Sequence, residues 1–135
     1  MANTLFDFAR QRFLEAQINW MTDTIKVFLV STSAYTPQTA VHQYLSDIPP
    51  SGRIAGPVTL TAKATTGGAA DAADCTFTAV SGVTINAIVI CKDTGTEATS
   101  PLIAYIDTAT GLPITPNGGD IIVTWDNGVN KIFRV

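Results

Sequence analysis

From Val58 onward the chain repeats one short pattern, an apolar residue followed by a polar one. "VTLTAKAT" sets Val58, Leu60, Ala62 and Ala64 against Thr59, Thr61, Lys63 and Thr65. "CTFTAV" alternates again, with Phe77 and Ala79 as the inner pair, and "DIIVTWD" puts Ile121, Val123 and Trp125 on one side. Successive side chains of a strand point to opposite faces, so this period of two prescribes strands with one dry face and one wet or interfacial face. "TINAIVICKD" is apolar on both faces and predicts a central strand. In "IKVFLV" Ile25, Val27 and Leu29 face one way, while Phe28 and Val30 share the other face with Lys26, which predicts a strand covered on both sides. "SPLIAYID" is a further strand, opened by Pro101, where a missing N–H does least harm. In the run Pro116 to Val135, "PNGGDIIVTWDNGVNKIFRV", the residues Asp126 to Gly128 suit a tight turn, so "KIFRV" is expected to return antiparallel as a hairpin. Seven or eight short strands at this spacing predict an antiparallel β-sandwich, jelly-roll or immunoglobulin-like, rather than βαβ units.

Two segments read as helices. In "NTLFDFARQRFLEAQINW", Thr4 and Asp7 have the spacing of a capping box, and Leu5, Ala9, Phe13 and Trp20 form a stripe. The expectation is an N-terminal helical arm over residues 1–20, followed by a β-sandwich domain over residues 21–135. Leu5, Phe6, Phe8, Phe13 and Leu14 present more apolar area than one narrow stripe buries, so these five are candidate partner contacts. The alternative is a helix that caps its own domain. Because most strands lie after Val58, removing Met1 to Gln17 is expected to leave a folded β domain. A second, short helix after the first strand is expected over residues 39–46, with Val41, Tyr44, Leu45 and Ile48 as its apolar side and Pro49 and Pro50 as its stop.

Charged residues make up 14% of the 135, well below the ~25% usual for soluble domains. Such a chain either covers much of its surface with partners or keeps a neutral polar exterior. The net charge is −3 and no basic cluster occurs, which argues against direct nucleic-acid binding. No apolar run approaches the ~20 residues of a membrane span. Asp7, Arg10, Arg12 and Glu15 interrupt any signal-peptide core, so a cytosolic origin is expected. Cys75 and Cys91 lie in apolar runs and are read either as small buried hydrophobes or as a pair joined across neighbouring strands.

Reactive chemistry is sparse. The single histidine, His42, has Ser46 four and Asp47 five residues on, but a triad needs a base held by a third group, and no nucleophile-elbow motif is present. Acidic residues fall in loops, and only a convergence of Asp93, Glu97 and Asp120 would offer a cation several oxygens. Otherwise they are turn formers. The expectation is a protein that is not an enzyme, with no catalytic, cofactor-binding or metal residues and no cofactor.

The segments "INWMTDTIKVFLV" and "CKDTGTEATSPLIAYIDTATGLPITPNGGDIIVTWDNGVNKIFRV", with "FLEAQ" before them, resemble a family of small virion structural proteins of tailed bacteriophages, encoded near the head genes. The resemblance runs from Phe13 to the end and is strongest from Lys92 to Val135. It implies a virion component assembled in the host cytoplasm. The first reading is a capsid decoration or cement protein that stabilises the head; the alternative is a tail, neck or fibre part that binds a receptor or carbohydrate. The expected partners are the major capsid protein or other virion proteins, and further copies of this chain in a homo-oligomer. No membrane and no direct nucleic-acid contact are expected.

Overall fold

The computed structural model describes residues 4–107, 112–125 and 131–134. The fold is mainly β. Its elements are β1 (Thr4–Leu5), α1 (Asp7–Leu14), β2 (Ile25–Val30), β3 (Arg53–Thr59), β4 (Ala64–Thr66), β5 (Ala69–Asp71), β6 (Cys75–Phe77), β7 (Ala87–Lys92), β8 (Leu102–Ile106), β9 (Ile121–Val123) and β10 (Phe133–Arg134). Short 3-10 turns occur at Leu45–Asp47, Pro50–Gly52 and Glu97–Thr99.

Among the described residues every strand pairing is antiparallel, and the strands form three sheets. The largest has the order β1-β8-β7-β2-β3; the others are β10-β5-β4 and β6-β9. β7 and β8 lie at the centre. All five residues of β8 are buried, and in β7 only Lys92 reaches the surface region. β2 is likewise covered on both faces, with Lys26 alone partly exposed. One apolar cluster joins the layers, from Phe6 and Ile25 through Ile90 and Ile103 to Cys75, Val123 and Trp125. The alternation of "DIIVTWD" holds here, since Val123 and Trp125 point inward, Thr124 between them is exposed, and Ile122 before them is 65% exposed.

Several local expectations give way to tertiary contacts. Over the described residues 4–20 the chain does not form one helical arm. Thr4 and Leu5 pair with Tyr105 and Ala104, and Phe6 N–H donates to Ile103 O at 3.0 Å, so the segment extends the main sheet before any helix begins. The helix then starts at Asp7 from an extended Phe6 with no side-chain cap, so the Thr4–Asp7 capping box does not form. It stops at Leu14 because Ala16 turns left-handed (φ 59°) and Gln17 N–H reaches back to Arg12 O at 2.8 Å. An apolar stripe cannot distinguish one long helix from a strand, a short helix and an anchored Trp20, and burial of Phe6 and Trp20 in the core selects the latter.

The helix expected over residues 39–46 is also absent. The Asp47 carboxylate accepts the N–H groups of Gln43 (2.8 Å) and Tyr44 (3.0 Å), and Leu45 N–H donates to Ser100 O (2.9 Å). These bonds offer the backbone an alternative to helix, and only one 3-10 turn remains. "VTLTAKAT" is split in two: β3 ends at Thr59, β4 starts at Ala64, and Ala62 between them is left-handed with φ 51°. Ala79 is exposed with φ 50°, so Val80 takes the inward place beside Phe77. β9 pairs with β6 and β10 with β5, not with each other; the turn expected at Asp126–Gly128 lies outside the described residues.

Candidate functional site

Three places concentrate polar or exposed apolar groups. The first is a charged cleft of about 380 Å³ between β2, β3 and the loop after β7, where Lys26, Phe28, Arg53, Cys91, Asp93 and Glu97 meet. Lys26 pairs with Asp93 at 3.0 Å. Arg53 clamps Glu97 at 2.6 and 3.1 Å and also donates to Ile48 O (2.7 Å) and Leu45 O (3.0 Å). The Gly95 N–H, followed by Lys26, holds the Asp93 carboxyl below its ordinary range, and Arg53 does the same for Glu97. Each of these four charges is thus matched within the cleft. Cys91 lies at its floor, and burial, then the Asp93 charge, pushes its thiol up to about 12, so it stays protonated and inert. Asp120 accepts the Ala79 N–H instead, so Asp93, Glu97 and Asp120 do not converge on one point. Among the described residues no group of three His, Cys, Asp or Glu side chains is placed to hold a metal ion.

The second place is around His42. Its Nδ1 lies 2.9 Å from the Tyr35 hydroxyl and accepts the Gln38 N–H at 3.3 Å. The Gln38 N–H aimed at Nδ1 makes that ring nitrogen an acceptor in this arrangement. Burial, and then the Asp47 and Tyr105 charges, push the Tyr35 phenol upward, so it remains a donor. In a triad the same nitrogen would donate to a carboxylate. Asp47 is instead committed to the Gln43 and Tyr44 N–H groups; burial raises its carboxyl, but these bonds and nearby His42 outweigh that and hold it low. His42 and Asp47 therefore tie down loop backbone, while Ser46 is an exposed residue of the turn Leu45–Asp47.

The third place is an apolar groove of about 350 Å³, lined by Phe13, Ile18, Trp20, Met21, Thr65 and Phe133 among others. Phe133 stands 5.2 Å from Trp20, edge to face, and 6.1 Å from Phe13. Trp20 Nε1 donates to Asp71 O at 3.1 Å, which fixes the indole. Met21 in its lining is 50% exposed, and Leu14, which follows Phe13 in the chain, is 89% exposed. The five residues expected to meet a partner are divided by the fold. Leu5 and Phe6 are buried in the chain's own core and cannot reach a partner. Phe8 is half-buried under the Arg12 guanidinium, 5.9 Å from its ring. Phe13 is half-buried in the groove wall, and Leu14 is exposed. The sequence pattern missed Trp20, Met21, Thr65 and Phe133 as neighbours, because they come from segments far apart in the chain and no local period links them.

Cys75 and Cys91 are both free and buried, one in β6 and one in β7, so the reading as small hydrophobes is the one the fold supports. Burial, then Asp74, raises the Cys75 thiol to about 11. Among the described residues no helix is long and apolar enough to cross a membrane. Compared with known proteins, the chain matches no family model and no curated sequence.

Proposed function

We propose that this chain is a structural subunit of a tailed-bacteriophage particle, in the first instance a capsid decoration or cement protein that is not an enzyme. The observation that carries the reading is the apolar groove of Phe13, Trp20 and Phe133, with Met21 half exposed in its lining. An open apolar groove on a protein with few charges suits a surface that a neighbour covers. The resemblance of Phe13 to Val135 to phage virion proteins supplies the kind of neighbour. The alternative, a tail or fibre part that binds sugar, would gain from an aromatic platform, but Trp20 and Trp125 are 5% and 7% exposed, and this favours the shell.

The test is to purify particles and locate the chain by mass spectrometry and cryo-electron microscopy. Density for this protein on the head shell is the expected result. Its absence from purified particles would sink the reading, and density at the tail would move it to the alternative. Leu14→Ser added back to particles lacking the protein is expected to bind them at least tenfold more weakly than the unaltered chain, since about 1.5–3 kcal/mol accompanies burial of such a side chain.

A further inference from the structure

Asparagine before glycine is open to one uncatalysed reaction, attack of the next residue's backbone nitrogen on the side-chain amide, because glycine has no Cβ to block the approach. Among the described residues the asparagines are Asn19, Asn86 and Asn117, and only Asn117 precedes a glycine. Asn19 is followed by the buried Trp20, and Asn86 by Ala87, the buried first residue of β7. Residues 117–120 are exposed, and a Cβ added to Gly118 would meet nothing within 4 Å, so there is open space around this turn. The Gly119 N–H donates to Asn117 Oδ1 at 2.9 Å. That donor is aimed at the oxygen on which negative charge develops when the amide carbon is attacked. The Gly118 N–H donates to Val80 O at 2.8 Å, which restrains the attacking nitrogen until the bond opens. Ala79 and residues 81–83 are exposed too, so that opening needs no disturbance of the central sheet.

We propose that Asn117 converts in the folded protein, through a succinimide, to aspartate and isoaspartate, and that the isoaspartate unties the loop after β6 from the run before β9. The Gly118 nitrogen bonds to Asn117 Cγ and gives up its proton to solvent, the Cγ–Nδ2 bond breaks, and ammonia leaves. Water then opens the ring. Cleavage of the new Cγ–N bond gives aspartate. Cleavage of the original peptide C–N bond gives isoaspartate, whose main chain runs through Cβ and Cγ and is longer by a carbon. Either product adds a negative charge to a chain of net charge −3. The lengthened run is the one tied across to the other loop: Gly118 N–H donates to Val80 O, Val80 N–H to Gly119 O at 3.0 Å, and Ala79 N–H to Asp120 Oδ1 at 3.1 Å. These bonds continue the pairing of β6 with β9 beyond its last partners, Phe77 and Ile121. An extra main-chain atom ahead of Gly118 moves its N–H off Val80 O and pulls Gly119 O away from the Val80 N–H.

Ageing the purified full chain in mildly alkaline buffer, beside a sample unfolded in urea, tests this. Peptide mapping is expected to find the amide-to-acid mass gain at Asn117, resolved from Asn127, which also precedes a glycine. An isoaspartyl methyltransferase should label the product. The folded chain should convert more slowly than the urea sample, because Val80 O restrains Gly118. Gly118→Ala puts a Cβ against the attack and should slow conversion about tenfold or more. It is read in urea as well, where the left-handed turn at this position (φ 86°) no longer matters. Asn117→Ser should abolish the gain. The isoaspartate fraction, isolated by chromatography, should exchange its Val80 and Gly118 amides faster than fresh protein. An Asn117 still intact in the folded chain after many half-times of the urea sample overturns the proposal. So does a folded rate equal to the rate in urea, a Gly118→Ala chain that converts as fast as the original in urea, or an isoaspartate fraction whose Val80 amide is as protected as before.

Discussion

Trp125 is held at three points: its ring is buried, its Nε1 donates to Ala73 O at 3.1 Å, and its backbone N–H donates to Asp74 at 3.1 Å. Trp125→Ala is expected to cost about 3–5 kcal/mol in urea unfolding, and a loss under about 1 kcal/mol, typical of surface changes, would show the ring is not a core element. His42→Ala removes the acceptor of the buried Tyr35 hydroxyl, so a loss of about 1–3 kcal/mol is expected. The double variant with Tyr35→Phe should recover part of it, and full independence of the two losses would show that they do not interact. The two thiols, raised to about 11 and 12 by burial, should label at neutral pH only as fast as the chain unfolds. Fast labelling in native buffer would contradict their burial. Trp125 was legible in the sequence because strand alternation alone fixes its face. The role of His42 was not, because its partner lies seven residues away in a loop with no period to betray it.

Among the elements, β2, β7 and β8 could be read directly, since a strand covered on both faces must be apolar throughout. The first twenty residues could not. Their stripe suits a helix, yet β8 takes Thr4 and Leu5 as a pairing strand, and the core takes Phe6. The consequence reverses the expectation from sequence that residues 1–17 are dispensable. Their removal exposes the β8 edge and takes Leu5, Phe6 and Ala9 from the core. At about 1.5–3 kcal/mol for each large side chain, that is a serious part of the ~5–15 kcal/mol of a typical domain. The truncated chain is therefore expected to melt far below the full one or not to fold, and an unchanged melting temperature would refute this. The groove was illegible for a related reason: its walls come from α1, the loop after it, β4 and β10, and pairing of β10 with β5 rather than β9 brings Phe133 there. In β3, Gly56 has φ 111°, and an added Cβ would stand 2.7 Å from Val27 O. Gly56→Ala should thus cost about 1–3 kcal/mol through backbone strain.

For the molecule as a whole, stability has a limb on each side of neutral pH. Asp47, Asp93 and Glu97 have lowered folded values, against ordinary values of 3.8, 3.8 and 4.5. Their contribution is complete above those ordinary values and is lost as pH falls through the lower folded ones. Cys75 and Cys91 are raised from 9.0, so their contribution is complete below 9.0 and is lost as pH rises toward about 11 and 12. Melting temperature is expected to be level near neutrality and to drop below about pH 4 and above about pH 9. Asp93→Asn with Glu97→Gln should flatten the acid limb, and an unaltered limb would show that other groups set it. The assembly of the groove from both Phe13 and Phe133 has a further consequence, in time. During synthesis, the third wall is missing until residue 133 has emerged from the ribosome, although Phe13 and Trp20 were made more than a hundred residues earlier. A nascent chain can pair β7 with β8 and bury its central sheet well before that point, yet it cannot offer the finished contact surface. Prematurely terminated products therefore lack the surface by which a finished subunit would be recognised, and are kept out of any assembly that depends on it.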